Sequence, residues 1–180
     1  MSLDLRARYT PTAMALHWLL ALMILGSLSV GLYMTGLPFS PQRLRLYNWH
    51  KWAGVTILML SAARLLWRLT HRPPPALPMP VWQARASAAA HGLLYVLFFA
   101  VPLAGWAYSS SAGFPVVLFG VLPLPDFVAV DRVLAEDLKL LHRWLAWGLG
   151  AVVALHIAAA LKHQFIDRDA LLRRMLPGPG

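Results

Sequence analysis

The chain of 180 residues contains no cysteine. Without a thiol it cannot form a disulfide, an iron–sulfur or zinc–thiolate site, or the C-x-x-C-H attachment of c-type haem. Acidic residues are also scarce, because seven Asp and Glu stand against 16 Lys and Arg, which gives a formal net charge of +9. The basic residues flank apolar runs, a pattern that indicates membrane orientation and anionic lipid headgroups and argues against nucleic acid as a partner.

Charged residues make up only 13% of the chain, whereas 59% is hydrophobic and the mean hydropathy is +0.59. A soluble domain of this length would carry about a quarter charged residues. The sequence also lacks a Walker loop, a G-x-S-x-G elbow, an H-E-x-x-H motif and paired carboxylates inside its apolar runs. Hydrolase chemistry therefore has no residues to carry it, and the composition is that of a membrane protein.

Four apolar runs are long enough to cross the hydrocarbon core, which takes about 20 helical residues. Proline and glycine interrupt the chain between them, and the first run is too long for a cleaved signal peptide. We therefore predict an all-α membrane protein, a four-transmembrane-helix bundle that forms a single domain over residues 1–180. The predicted spans are about 12–34, 49–69, 88–110 and 138–165.

The distribution of Lys and Arg predicts the orientation of the bundle. One side has ten of these residues, in both termini and in the proline-rich link between the second and third helices. The other side has six, namely Arg43, Arg45, Lys51, Arg132, Lys139 and Arg143. Both termini are therefore expected in the cytoplasm. Leu134, Leu138 and Leu141 continue the helical spacing, so the fourth helix should begin near Asp131, above the bilayer.

Histidines provide the candidate chemistry. His142 and His156 are fourteen residues apart, which places them on nearly the same helix face and about 21 Å apart along the axis. His17 lies at the depth of His156, near the cytoplasmic side, and His50 lies at the depth of His142, near the outer side. This pattern predicts two haems, an inner one bound by His17 and His156 and an outer one bound by His50 and His142. The alternative for a histidine at a helix end is an interfacial side chain without a ligand.

Two further histidines have open roles. His91 lies near the cytoplasmic start of the third helix, so it competes with His17 as the inner ligand, contacts a haem propionate or quinone, or faces the interface. His163 follows His156 by seven residues at the cytoplasmic boundary. It is a candidate for a quinone site or a proton relay, with interfacial anchoring as the alternative.

Smaller and charged residues near these histidines extend the predicted haem environment. Gly54 follows His50 by one helical turn, where a missing side chain would let a flat macrocycle approach, although close helix packing explains it equally well. Lys51 and Arg143 each follow an outer histidine and are expected to pair with propionates and make the outer mouth positive. Arg64 suits an inner propionate, with positive-inside anchoring as its alternative.

Several of these segments, taken together, resemble the bacterial cytochrome b561 family over almost the whole chain. The segments that carry the resemblance are Tyr9–Pro11, Leu16–Leu19, His50–Gly54, Arg64–Leu65 with Arg68, Ala90–Tyr95, Leu141–His142 and Leu155–His163. The resemblance implies a four-helix protein of the bacterial inner membrane with two haem b groups and the same four histidine ligands.

Some members of that family pass electrons from superoxide at the periplasmic face to ubiquinone, and a residue matching His163 is associated with their quinone pocket. The resemblance therefore implies a superoxide:ubiquinone oxidoreductase with quinone as its acceptor. Haem b subunits of formate dehydrogenase and hydrogenase share the fourteen-residue histidine spacing. The alternative function is accordingly a membrane anchor that passes electrons between a partner redox enzyme and the quinone pool.

Overall fold

A computed structural model describes residues 8–169 and 171–176, and within them four long helices dominate. Each of the four is long and apolar enough to cross a membrane, which confirms the predicted all-α membrane bundle. In chain order the elements are α1 (Pro11–Thr35), α2 (Pro41–Thr70), α3 (Val81–Ser111), β1 (Val117–Leu118), β2 (Leu122–Pro123) and α4 (Arg132–Lys162). After α4 come a π-helical turn, His163–Asp167, and a 3-10 turn, Leu172–Met175.

All four helices begin earlier than their apolar runs. α1, α2 and α4 each begin after a residue whose side chain caps the helix, whereas Pro80 before α3 makes no side-chain cap hydrogen bond. Ser40 accepts a hydrogen bond from the backbone N–H of Arg43, and Pro41 then occupies the first turn of α2, where its missing N–H costs nothing. Asp131 caps α4 through the N–H groups of Val133 and Leu134, so the predicted start of this helix near Asp131 is confirmed.

The buried core lies between the two predicted histidine levels. All four helices contribute to it, and its fully buried members are Leu20, Ile24, Ile57, Leu94, Leu97, Phe98, Val101 and Leu149. Leu149 is midway along α4 between His142 and His156. An apolar layer therefore separates the two levels and holds the four helices together at mid-depth.

Both described ends of the chain lie on the same side of the bundle as the link between α2 and α3. The backbone N–H of Tyr9 donates to the carbonyl of Arg174 (3.2 Å), and the indole N–H of Trp18 donates to the carbonyl of Met175 (2.7 Å). The guanidinium of Arg174 reaches the carbonyl of Pro75 in the link (2.9 Å). Arg6, which contributed to the predicted orientation, lies outside the described residues, as do the two ends of the predicted 1–180 domain.

A short hairpin closes the opposite end of the bundle. β1 and β2 pair antiparallel, and their connection passes through Phe119 and Gly120, which both have positive φ. Val116 and Leu118 are buried against Val55 of α2. The connection between α3 and α4 is thereby held over the end of α2, beside the predicted outer histidines.

Candidate functional site

The structure brings together the two histidines of the predicted outer level. The ring centroids of His50, on α2, and His142, on α4, lie 6.0 Å apart, and the ring planes are nearly perpendicular at 80°. Each side chain is half-buried among the helices.

Residues on neighbouring helices form hydrogen bonds with both outer imidazoles. The Nδ1–H of His142 donates to the carbonyl oxygen of Val101 on α3 (2.9 Å), and Nδ1 of His50 shares a hydrogen bond with the hydroxyl of Ser27 on α1 (3.2 Å). A backbone or hydroxyl partner on one ring nitrogen is the usual support for a metal-binding histidine, because it leaves Nε2 free to coordinate. The supporting partners of His50 and His142 were not predicted from the sequence.

Three histidines meet at the inner level. The ring of His156, on α4, lies 6.2 Å from the ring of His17, on α1, and 5.2 Å from the ring of His91, on α3. The sequence left open whether His17 or His91 is the inner partner, and both are within reach.

The environments of the two inner candidates differ. His17 is half-buried, and its Nδ1 is buried without a hydrogen-bond partner among the described residues. His91 is exposed, and its Nδ1–H donates to the carbonyl of Ser87 one turn earlier (2.8 Å). Burying a nitrogen without a hydrogen-bond partner costs free energy. The unpaired Nδ1 of His17 therefore fits a site in which a bound group supplies the missing contact.

Ring separations provide a geometric test of whether a haem iron fits. A metal–imidazole bond is about 2 Å, and each centroid lies about 1 Å behind its nitrogen, so two axial imidazoles need centroids about 6 Å apart. The His50–His142 and His17–His156 separations match this value, whereas the His91–His156 separation is short. The residues present therefore fit two bis-histidine haem sites, with His17 the better inner partner.

Two glycines that the sequence analysis did not identify lie against the outer imidazoles. A Cβ at Gly31 on α1 would be 3.1 Å from Cε1 of His50, and a Cβ at Gly105 on α3 would be 2.9 Å from Cε1 of His142. Each glycine follows, by one turn, the residue that hydrogen-bonds the same histidine, Ser27 or Val101. The repeated arrangement places a hydrogen-bonding group and a glycine on one helix face beside each ring.

Gly54, which was predicted from the sequence, faces a different neighbour. A Cβ there would lie 3.9 Å from the side chain of Pro102 on α3, an ordinary packing distance. Its place at the contact between α2 and α3 agrees with the helix-packing alternative. Its role near a haem remains a prediction.

Lys51 and Arg143 lie at the hairpin end of the bundle, each directly after one histidine of the His50–His142 pair. The ammonium of Lys51 donates to the hydroxyl of Ser109 (3.3 Å) and to the carbonyls of Phe114 and Pro115 (both 3.2 Å). These contacts attach the connection between α3 and α4 to α2. Arg143 is exposed on α4.

Arg64 lies at the inner end of α2, and its guanidinium is 5.8 Å from the centroid of the Tyr95 ring. Arg68, one turn later, is at the same distance from that ring. A guanidinium over an aromatic face is held by a cation–π interaction. The placement of Arg64 is compatible with both predicted roles, a propionate partner and a positive-inside anchor.

The π-helical turn at the end of α4 gives His163 a carboxylate partner. Arg168 has a left-handed conformation (φ 54°), which turns the chain back toward His163. Asp169 Oδ2 then lies 2.5 Å from His163 Nδ1, while Asp167 lies 3.3 Å from the same nitrogen. Lys162 binds both oxygens of Asp167 (2.6 and 2.8 Å), so Asp169 is the closer and less engaged partner of His163.

Comparisons with known proteins agree with this geometry. Residues 8–178 match the family model described as prokaryotic cytochrome b561. Cytochrome b561 homolog 2 of Escherichia coli (strain K12) is 36% identical over 171 residues, which cover 94% of this chain and 91% of that protein.

Two further relatives align with this chain over almost their whole lengths. The protein named probable superoxide oxidase CybB of Yersinia pestis is 31% identical, covering 94% of this chain and 96% of that protein. Cytochrome b561 homolog 1 of Escherichia coli (strain K12) is 30% identical, covering 94% and 97%. The chain therefore belongs to the prokaryotic cytochrome b561 family, multi-pass bacterial membrane proteins that transfer electrons and bind b-type haem.

Proposed function

We propose that this chain is a di-haem b cytochrome of the bacterial inner membrane that oxidises superoxide at the periplasmic face and reduces ubiquinone near the cytoplasmic face. The observation that carries the proposal is the pairing of half-buried histidines at two levels, with ring separations of 6.0 and 6.2 Å. When bound, haem supplies reversible one-electron chemistry at its iron. Two superoxide ions, one quinone and two protons would give two molecules of oxygen and one quinol.

Positive charge at the outer end supports superoxide as the donor. Lys51 donates to neutral hydroxyl and carbonyl oxygens, with Asp126 as an acidic side chain nearby, and Arg143 is exposed one residue after His142. A cationic mouth raises the encounter rate of a small anion, and this effect weakens as salt is added. The similarity to a protein named probable superoxide oxidase supports the same donor.

Ubiquinone as the acceptor is supported by the surroundings of His163. A cavity of about 280 Å³ lies beside the π-helical turn and is lined by Gln164, Phe165, Arg168 and Arg173. Oε1 of Gln164 is buried without a hydrogen-bond partner among the described residues. The lining offers one aromatic ring to stack on a quinone and polar groups to hydrogen-bond its carbonyls, while His163 lies beside Gln164 outside the described lining. His91, exposed at the inner level, is the second candidate for a quinone contact.

The contact between His163 and Asp169 gives the proposed quinone site a route for protons. A carboxylate on Nδ1 fixes the imidazole orientation and tautomer, so that Nε2 faces away from Asp169. In this role Asp169 is a positioning residue, and His163 is the group that exchanges a proton with the quinone.

Replacing Asp169 by asparagine is expected to slow ubiquinone reduction by about tenfold or more, because the proton donor loses its orienting carboxylate. Asp167→Asn is the matched control, since its carboxylate is engaged by Lys162. Stopped-flow traces should show unchanged reduction of the protein by superoxide in both variants. Equal slowing of quinone reduction in both variants, or in neither, would contradict the assignment of Asp169.

The donor and acceptor can be tested with the purified holoprotein in detergent. Stopped-flow absorbance would follow the decay of superoxide with ubiquinone present and absent. We expect decay faster than spontaneous dismutation, slowed by added salt, with quinol formed in a 1:2 ratio to superoxide consumed. A decay rate equal to spontaneous dismutation would exclude superoxide as the donor while leaving the haem sites intact.

The alternative function, a haem b anchor for a partner redox enzyme, has one supporting observation. The hairpin at the outer end exposes large apolar side chains, with Phe119 61% and Val121 81% exposed. Exposed apolar residues at a loop tip are a common feature of contact surfaces. Such an anchor would be inactive with superoxide alone and would purify from mild detergent as a stable complex with its partner.

A further inference from the structure

The side of the bundle that carries both chain ends contains a cavity separate from the histidine levels. It encloses about 160 Å³ between the start of α1, the end of α2 and the proline-rich link. His17, His91 and His156 are not among its described lining residues. Two of the residues that do line it, Arg64 and Arg68, lie close enough to the inner histidines to interact with them electrostatically.

Cations dominate the lining. Arg64, Arg68 and Arg72 follow one another at intervals of four residues, and Arg8 and His71 join them. None of the described lining residues is acidic. Arg64 and Arg68 share one face of α2, Arg72 follows just after the helix ends, and like charges this close repel each other. An anion in the cavity would relieve this repulsion.

Aromatic rings hold the arginines and form one wall. The guanidiniums of Arg64 and Arg68 each lie 5.8 Å from the centroid of the Tyr95 ring, so the ring keeps both cations at the cavity. Trp67 stacks on His71 with centroids 3.7 Å apart, and its indole N–H donates to the hydroxyl of Thr10 (3.1 Å). These contacts preorganise the cavity before any ligand binds.

Depth indicates where the ligand comes from. α2 has 30 residues, a length of about 45 Å, whereas the hydrocarbon core is about 30 Å thick. The apolar run predicted to cross the membrane ends near Leu69, so we place the end of α2 at Thr70 in the headgroup region, where lipid phosphates lie. Basic pockets between helices on this side of a membrane are typical sites for anionic lipid headgroups.

We propose that this cavity binds a phosphate group, supplied by the headgroup of an anionic phospholipid or by free phosphate. Its volume equals that of about five water molecules, enough for a phosphate group and part of its hydration shell. Planar guanidinium groups bind phosphate oxygens in bidentate fashion, and several converging arginines can share the oxygens of one phosphate.

Native mass spectrometry and thermal unfolding of the purified holoprotein test the proposal. The probes are phosphatidylglycerol, phosphatidylcholine and inorganic phosphate. We expect phosphatidylglycerol, but not phosphatidylcholine, to be retained and to raise the unfolding temperature. Arg68→Gln and Arg72→Gln should each weaken retention about fivefold, the effect of about 1 kcal/mol per basic residue near a lipid surface. Arg85→Gln, which removes an exposed charge outside the cavity on the same side, should have no effect.

The remaining outcomes are equally decisive. Stabilisation by inorganic phosphate that matches phosphatidylglycerol, and is lost in the same two variants, would identify free phosphate as the ligand. Equal retention of lipid by wild type, Arg68→Gln and Arg72→Gln would overturn the proposal, as would an equal loss in Arg85→Gln. A loss of haem absorbance in Arg68→Gln with unchanged lipid retention would also overturn it, because the arginine would then serve the haem.

Discussion

Replacing His142 or His156 by alanine is expected to remove one haem each and to leave the other in place. The two residues lie on one helix about 21 Å apart, with the apolar layer around Leu149 between them. Because the two sites share no described side chain, loss of one ligand should leave the other level assembled. The reduced-minus-oxidised spectrum of each purified variant should have about half the wild-type α-band amplitude per chain.

The same measurement identifies the inner partner of His156. We expect His17→Phe to lose the inner haem, while His91→Phe keeps both, because the His17–His156 ring separation matches two axial imidazoles. His71→Ala is the control, since this histidine is exposed after the end of α2. A variant of His142 or His156 that retained both haems would contradict the pairing, and haem loss in His91→Phe alone would assign the inner site to His91.

The Gly105→Ala variant is expected to lose most of its outer haem, although the substitution adds only one methyl group. The new Cβ would lie 2.9 Å from Cε1 of His142, a ring that Val101 also holds by a hydrogen bond. Movement of the imidazole away from the new methyl group would displace it from the place where it would hold a haem, so we expect haem loss rather than misfolding. Gly31→Ala should act on His50 in the same direction but more weakly, because its Cβ would lie at 3.1 Å.

Each glycine has a matched control on its own helix. Gly92 on α3 and Gly26 on α1 have no atom within 4 Å of an added Cβ. In those positions alanine should preserve the haem spectrum and raise the unfolding temperature, since alanine favours a helix over glycine by about 1 kcal/mol. Full haem content in Gly105→Ala would show that a glycine beside His142 is not needed.

The sequence alone predicted the number of helices and their class, because apolar length and helical periodicity depend on local chemistry, whereas the depth of each histidine in the membrane stays a prediction. Helix starts were less accurate. The prolines between the apolar runs predict breaks in the chain, yet Pro41 begins α2 directly after its N-cap residue, Ser40. Proline is favourable in the first turn of a helix and unfavourable in its interior, so hydropathy alone does not distinguish these two roles.

The contacts between helices could not be predicted from the sequence. Gly31 and Gly105 are remote in sequence from the histidines they face, and no periodicity pairs positions on different helices. Asp169 lies only six residues after His163 and could have been noticed. Its contact nevertheless depends on a π-helical turn and on the left-handed Arg168, which regular helical spacing does not predict.

Two levels of paired histidines predict two haems, and the number of b-type haems per chain is the most direct test of this prediction. The purified wild-type protein should be measured by its reduced-minus-oxidised spectrum and by an independent determination of protein concentration. We expect two haems per chain, both lost only when His142 and His156 are replaced together. A single haem per chain in fully loaded protein would contradict the existence of two sites.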